Sequence, residues 1–151
     1  MISGILWRMQ RMNLKPLVRN RLFFKSFGLI FDLELKTNLT FINSVSGEGK
    51  TFVFEKIKRW ASDKEDIACF DYTDRKNGIV KEFIRTQKNK LIAIDNADIL
   101  LDAEDRKYIA LDVNNQYIII GRVVENLMLT KENMCSVEFL KDEDTIRLQY
   151  Y

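Results

Sequence analysis

Apolar residues recur along the chain with two periods, and the changes from one to the other mark the elements. Arg21-Leu22-Phe23-Phe24-Lys25 and Leu29-Ile30-Phe31-Asp32-Leu33-Glu34-Leu35 flank Ser26-Phe27-Gly28. The second run alternates, with Phe31, Leu33 and Leu35 on one face and Asp32 and Glu34 on the other, which predicts β structure. The runs Leu39–Asn43, Ile67–Asp71, Leu91–Asp95 and Gln116–Gly121 are mostly apolar without alternation, as strands buried on both faces read. Between them the spacing is helical: Val53, Phe54, Ile57 and Trp60, then Ile79, Val80, Phe83 and Ile84, then Ile99 to Leu111. Asp102, ahead of Ala103-Glu104-Asp105, is placed to cap a restarted helix. At the C-terminal end Ser136–Leu140 and Thr145–Tyr150 alternate about the turn 141–144, a hairpin with one polar face. At the other end Ile2, Ile5, Leu6, Met9 and Met12 have helical spacing that Pro16 ends.

Strands that alternate with helices from Leu39 to Gly121 imply parallel pairing with right-handed crossovers. The expected fold class is α/β: a three-layer sandwich with a mainly parallel sheet, an N-terminal β extension and a C-terminal β-hairpin. A length of 151 residues suits one domain over 1–151. Hydrophobic residues at 46% and charged residues at 30% exclude a disordered chain.

The absence of His removes His-based acid–base chemistry and His-containing metal sites. Cys69 and Cys135 form neither a metal spacing nor a disulfide framework, which points to a reducing, cytoplasmic setting. The apolar-rich run from Leu22 to Phe31 contains Lys25 and falls far short of the about 20 residues of a membrane span, so no transmembrane segment is expected. Near the start, basic charge follows the apolar residues rather than preceding them, unlike a secretory signal.

The net charge of +2 hides an asymmetry. Residues 1–31 hold Arg8, Arg11, Lys15, Arg19, Arg21 and Lys25 and no acid, leaving the rest of the chain with 18 basic against 22 acidic residues. A basic arm over 1–20 on a mildly acidic body suggests an anionic partner such as nucleic acid, against the plainer reading of a solvated face.

The strongest chemical signal is Ser44-Val45-Ser46-Gly47-Glu48-Gly49-Lys50-Thr51, between the strand ending at Asn43 and the helical pattern from Val53. Gly47 and Gly49 permit a tight turn whose amides point inward at an anion. The helix start adds partial positive charge. Lys50 supplies an ammonium for phosphate, and the Thr51 hydroxyl is a Mg²⁺ ligand type. The second signal is Leu91-Ile92-Ala93-Ile94-Asp95, an apolar strand ending in a carboxylate where open α/β sheets bind ligands.

Residues 44–51 resemble the phosphate-binding pattern G-x-x-x-x-G-K-[ST] of the P-loop NTPases, with Ser44 in place of the first Gly. Leu91–Asp95 resembles the Walker B segment, and residues 39–122 look most like a minimal AAA-like ATPase core. The resemblance implies ATP and Mg²⁺ as cofactors. It implies a loop of Ser44, Ser46, Gly47, Glu48 and Gly49 around the phosphates, Lys50 on the β- and γ-phosphates, and Thr51 and Asp95 on the metal. It also implies Lys50, Asp95 and Arg122 as the catalytic set. Arg122 stands where such ATPases carry a sensor residue, or it serves as an arginine finger in a homo-oligomer. Asn96 occupies the place of a catalytic Glu and cannot act as a base, so the ATP hydrolase activity implied is slow, absent or completed by another group. Two alternatives stay open: a non-catalytic nucleotide- or nucleic-acid-binding accessory module, and a small-molecule or nucleotide kinase with Arg75, Lys76 and Arg85 as lid cations.

Overall fold

The computed structural model describes residues 15–43 and 49–151. The strands are β1 (Arg21–Ser26), β2 (Leu29–Glu34), β3 (Leu39–Asn43), β4 (Ile67–Phe70), β5 (Leu91–Ile94), β6 (Gln116–Gly121), β7 (Met134–Leu140) and β8 (Thr145–Tyr150). The α-helices among the described residues are α1 (Lys50–Trp60), α2 (Ile79–Thr86), α3 (Ala97–Leu100) and α4 (Ala103–Leu111). The expected helix over 2–14 lies outside the described residues.

All eight strands join one mixed, curled sheet in the order β1-β2-β8-β7-β3-β6-β5-β4. Pairing is antiparallel within the hairpins β1–β2 and β7–β8. It is parallel everywhere else, including β2 beside β8 and β7 beside β3. The N-terminal β extension is therefore a hairpin, and the two hairpins are neighbours in the sheet rather than separate additions at its ends. The N-terminal hairpin turns at Phe27 and Gly28, both at positive φ, and places Ser26 opposite Leu29.

Burial explains the two sequence patterns. Every residue of β5 and β6 is buried, as expected of strands covered on both faces. On one face Ile42, Ile118, Ile120, Leu91 and Ala93 pack with Val53, Phe54 and Ile57 of α1. On the other, Phe41, Ile92, Ile94, Tyr117 and Ile119 pack with Val80 and Ile84 of α2 and Ile109 and Ala110 of α4. The hairpins alternate instead. Leu22, Phe24, Phe31, Leu33, Ile146 and Leu148 join the α1 side of the core, while Arg21, Asp32, Glu138 and Arg147 form ion pairs on the outer face. Ile67–Phe70 is less buried than its apolar run suggests because β4 is an edge strand.

Local signals act as anticipated at the helix starts. Asp102 caps α4 through a reciprocal pair: its carboxylate accepts from the Asp105 amide, and Asp105 accepts from the Asp102 amide. Residues 15–20 run across the amino ends of the parallel strands. There Gln116 Oε1 accepts from the Val18 and Arg19 amides, and Asn38 Oδ1 accepts from Leu17. Arg19 makes a bidentate pair with Asp66, and Arg21 pairs with Asp32. Two cations of the basic N-terminal stretch are thus matched within the chain, at the end of the sheet opposite the carboxyl ends.

Candidate functional site

The connection after β3 crosses the sheet on the α1 side, whereas those after β4 and β5 carry helices on the opposite side. The helices that leave β3 and β5, the two strands flanking β6, go to opposite faces and part at the carboxyl ends, and a crevice opens there. A recess of about 280 Å³ occupies that place, lined by Lys50, Thr51, Asp95, Asn96, Asp98 and Arg122, with Ile120 and Gly121 behind them.

Each element delivers one group. Gly49 adopts φ 80, a left-handed conformation that glycine takes without strain, and turns the chain into α1. Lys50 is the first residue of that helix and is 4% exposed. Thr51 follows it into the recess, and the first turn carries no acidic side chain. Asp95 comes immediately after the last residue of β5 and is 5% exposed. Its Oδ1 accepts from the Asn96 amide at 2.9 Å, and no cation pairs with it among the described residues. Burial pushes the Asp95 carboxyl above the usual carboxylate range, the Asn96 amide opposes this, and the negative charges of Asp71 and Glu55 add to it.

Asn96 joins β5 to α3 in a left-handed conformation, φ 52 and ψ 42. Asn tolerates that region better than Glu, so the backbone itself favours the amide side chain at this joint. Asp98 then does more than supply a first-turn acid to α3. Its carboxylate crosses to the loop after β6 and accepts from the Arg122 amide at 3.1 Å and the Val123 amide at 2.9 Å. Gly121 makes room for this: a Cβ there would stand 2.8 Å from Asp98 Oδ1. Arg106 holds the same loop further on, donating to the carbonyls of Glu125 and Leu101, both at 2.9 Å.

Lys50, Thr51, Asp95 and Arg122 are therefore brought together, although they lie on three separate stretches of the chain. Ser44, Ser46, Gly47 and Glu48 lie outside the described residues. Sequence reasoning missed the clamp of Asp98 on the Arg122 loop, the role of Gly121 and the anchor at Arg106. The only signal for the first two was a small residue beside an acid's reach, which no local pattern reveals. At a larger hollow of about 470 Å³, by Arg85, Tyr108 and Leu111, Arg85 pairs with Asp105, and Asp112 accepts from Tyr117 and Asn115.

No helix among the described residues is long and apolar enough to cross a membrane. No protein-family model, curated protein or solved structure matches the chain.

Proposed function

We propose that this protein binds a Mg²⁺-nucleotide, ATP first among them, at the carboxyl ends of β3, β5 and β6. The observation that carries the reading is Asp95: a buried carboxylate that forms no ion pair among the described residues, facing the recess that Lys50 and Thr51 line. Leaving a carboxylate buried without a counter-charge is costly, and a bound cation offsets that cost. One hydroxyl and one carboxylate make a poor cage for a free metal ion. They suit Mg²⁺ arriving with phosphates and keeping its own waters. Thr51 and Asp95 would hold Mg²⁺ there, and the ion would neutralise phosphate charge. Lys50 adds its ammonium to the phosphate side, and the start of α1 at Lys50 and Thr51 adds amides and the helix's partial positive charge. Helices on both faces of the sheet agree with a three-layer sandwich of P-loop NTPase type, and the reading places that domain in the cytoplasm.

The same recess argues for slow hydrolysis or none. An attacking water needs a base, and the described acids of the recess are engaged. Asp98 is held by the Arg122 and Val123 amides, and Asp95 is reserved for the metal. The Asn96 amide takes no proton. Arg122 stands at the exposed rim, in reach of phosphates or of a second copy of the chain. A nucleotide-binding module with little turnover is thus favoured over both a fast ATPase and a kinase.

Calorimetric titration of the full chain with Mg·ATP tests the reading. Micromolar affinity is expected, lost in Lys50→Ala and without added Mg²⁺, with the fold checked by circular dichroism. A folded wild-type protein that takes up neither ATP nor GTP would overturn it.

A further inference from the structure

Three phenylalanines stay exposed near the carboxyl end of the hairpin half of the sheet: Phe27 at 83%, Phe139 at 48% and Phe52 at 42%. Their placement is not scattered. The direction of β7 matches that of β3, and β1 also runs toward the carboxyl end, so the β1–β2 and β7–β8 turns rise beside the start of α1. Thr51 and Phe52 are successive residues of the first helical turn and point to opposite sides. Thr51 lines the recess, while the Phe52 ring lies 6.1 Å from Phe31 of β2. Lys56, one turn on, places its ammonium 4.3 Å from the Phe27 ring centroid and 5.4 Å from that of Phe52, so one cation spans both rings. Phe24, Phe31, Ile146 and Phe139 form a cross-strand row in register, and a Cβ on Gly49 would stand 3.9 Å from Val137, two residues before Phe139.

Phe27 gives the second observation. It holds the first of two left-handed positions in the β1–β2 turn, φ 50 ahead of Gly28 at φ 81. Such a turn prefers Asn or Gly there, and a bulky aromatic is strained. Folding therefore gains little from this ring, which is among the most exposed large apolar side chains described. Strain that returns only the contact with the Lys56 ammonium points to a ligand.

The geometry points to these rings as the platform for the base of the nucleotide, with Phe52 beneath it and Phe27 closing from the hairpin tip. This rests on the nucleotide reading above. In the sheet Asp95, directly after β5, lies on one side of β3 and the aromatic rings lie on the other, toward β7, β8 and β2, so the polyphosphate's outer end faces β5. The nucleoside then leaves toward β7, β8 and β2, where the aromatic faces are. Flat π-faces and one mobile ammonium, that of Lys56, suit any purine. The ligand class is a nucleoside polyphosphate, and bare polyphosphate would forgo the contact.

Calorimetry with Mg·ATP, Mg·GTP and Mg·tripolyphosphate on the full-length protein tests this. Wild type should bind the nucleotides about 10-fold to 100-fold more tightly than tripolyphosphate. Phe52→Ala and Phe27→Ala should each erase much of that margin while leaving tripolyphosphate affinity unchanged, and Phe52→Tyr should restore it. Equal affinity for ATP and tripolyphosphate would overturn the platform but not the phosphate site. Binding of neither would overturn both. Self-association abolished by Phe27→Ala, with ATP affinity unchanged, would assign the rings to a second copy and also overturn the platform.

Discussion

The two halves of the sheet bury their residues differently, and the site follows from the difference. In β5 and β6 both faces are covered, so no position along the strand is left for a polar group to meet solvent. Chemistry is pushed past the strand ends: Asp95 directly after β5, Arg122 directly after β6, Lys50 at the start of the helix after β3. In β1, β2, β7 and β8 every second residue faces outward, and polar groups spread along the strands as pairs such as Arg21–Asp32 and Arg147–Glu138. A two-faced strand leaves its charged groups to its end, whereas a one-faced strand distributes charge along its length.

The sharpest way to break this comparison is to truncate matched positions. Ile119→Ala, in a strand with both faces covered, should cost about 2–5 kcal/mol in urea unfolding. Phe23→Ala, on the outer face of β1, should stay within about 0.5 kcal/mol. Equal costs would mean that the halves do not differ in burial as described.

A smaller effect is expected at the strand end. Gly121→Ala drives a methyl group into Asp98 and should cost about 1–3 kcal/mol. Combining it with Asp98→Ala should cost less than the sum of the two single changes. Strict additivity would show that Gly121 does not exist to admit the Asp98 carboxylate.

Next comes Asp95→Asn, which should raise the melting temperature of the nucleotide-free protein modestly at neutral pH while abolishing Mg·ATP binding. The sign follows from the raised carboxyl: the folded state holds the Asp95 proton more tightly than the unfolded chain does. The ionised form therefore costs stability above that raised value, and the cost disappears as pH falls through it. Mg·ATP affinity should weaken over the same fall in pH, because a protonated Asp95 cannot ligate. A lower melting temperature for Asp95→Asn would contradict the picture of an uncompensated buried charge.

The smallest effect belongs to the hairpins. A double-mutant cycle on Arg147 and Glu138 should give a coupling of about 0.2–1 kcal/mol that fades in high salt. A larger, salt-insensitive coupling would show that the outer face is less solvated than its exposure indicates.

Much of the fold was legible along the chain. Alternation marked β2, β7 and β8, an apolar run ahead of Ser26-Phe27-Gly28 marked β1, unbroken apolar runs marked β3, β5 and β6, and Asp102 ahead of Ala103-Glu104-Asp105 marked the start of α4. Lys50, Thr51 and Asp95, which line one recess, were legible as candidates because a helix start and a strand end are local features with local chemistry. Asp98 was not, since its partners are the amides of Arg122 and Val123, which come within reach only because β5 and β6 are neighbours. Asn96 looked like a catalytic loss, and its left-handed backbone supplies a structural reason for the residue.

The sequence by itself determined the alphabet of elements and the groups at their ends, because period, capping and turn chemistry act over a few residues. Tertiary structure alone decided the strand order, the joining of both hairpins into one sheet, and the gathering of residues 50, 95 and 122 about one recess. Those choices depend on which faces find cover against which others, and that is a property of the whole core rather than of any stretch of chain.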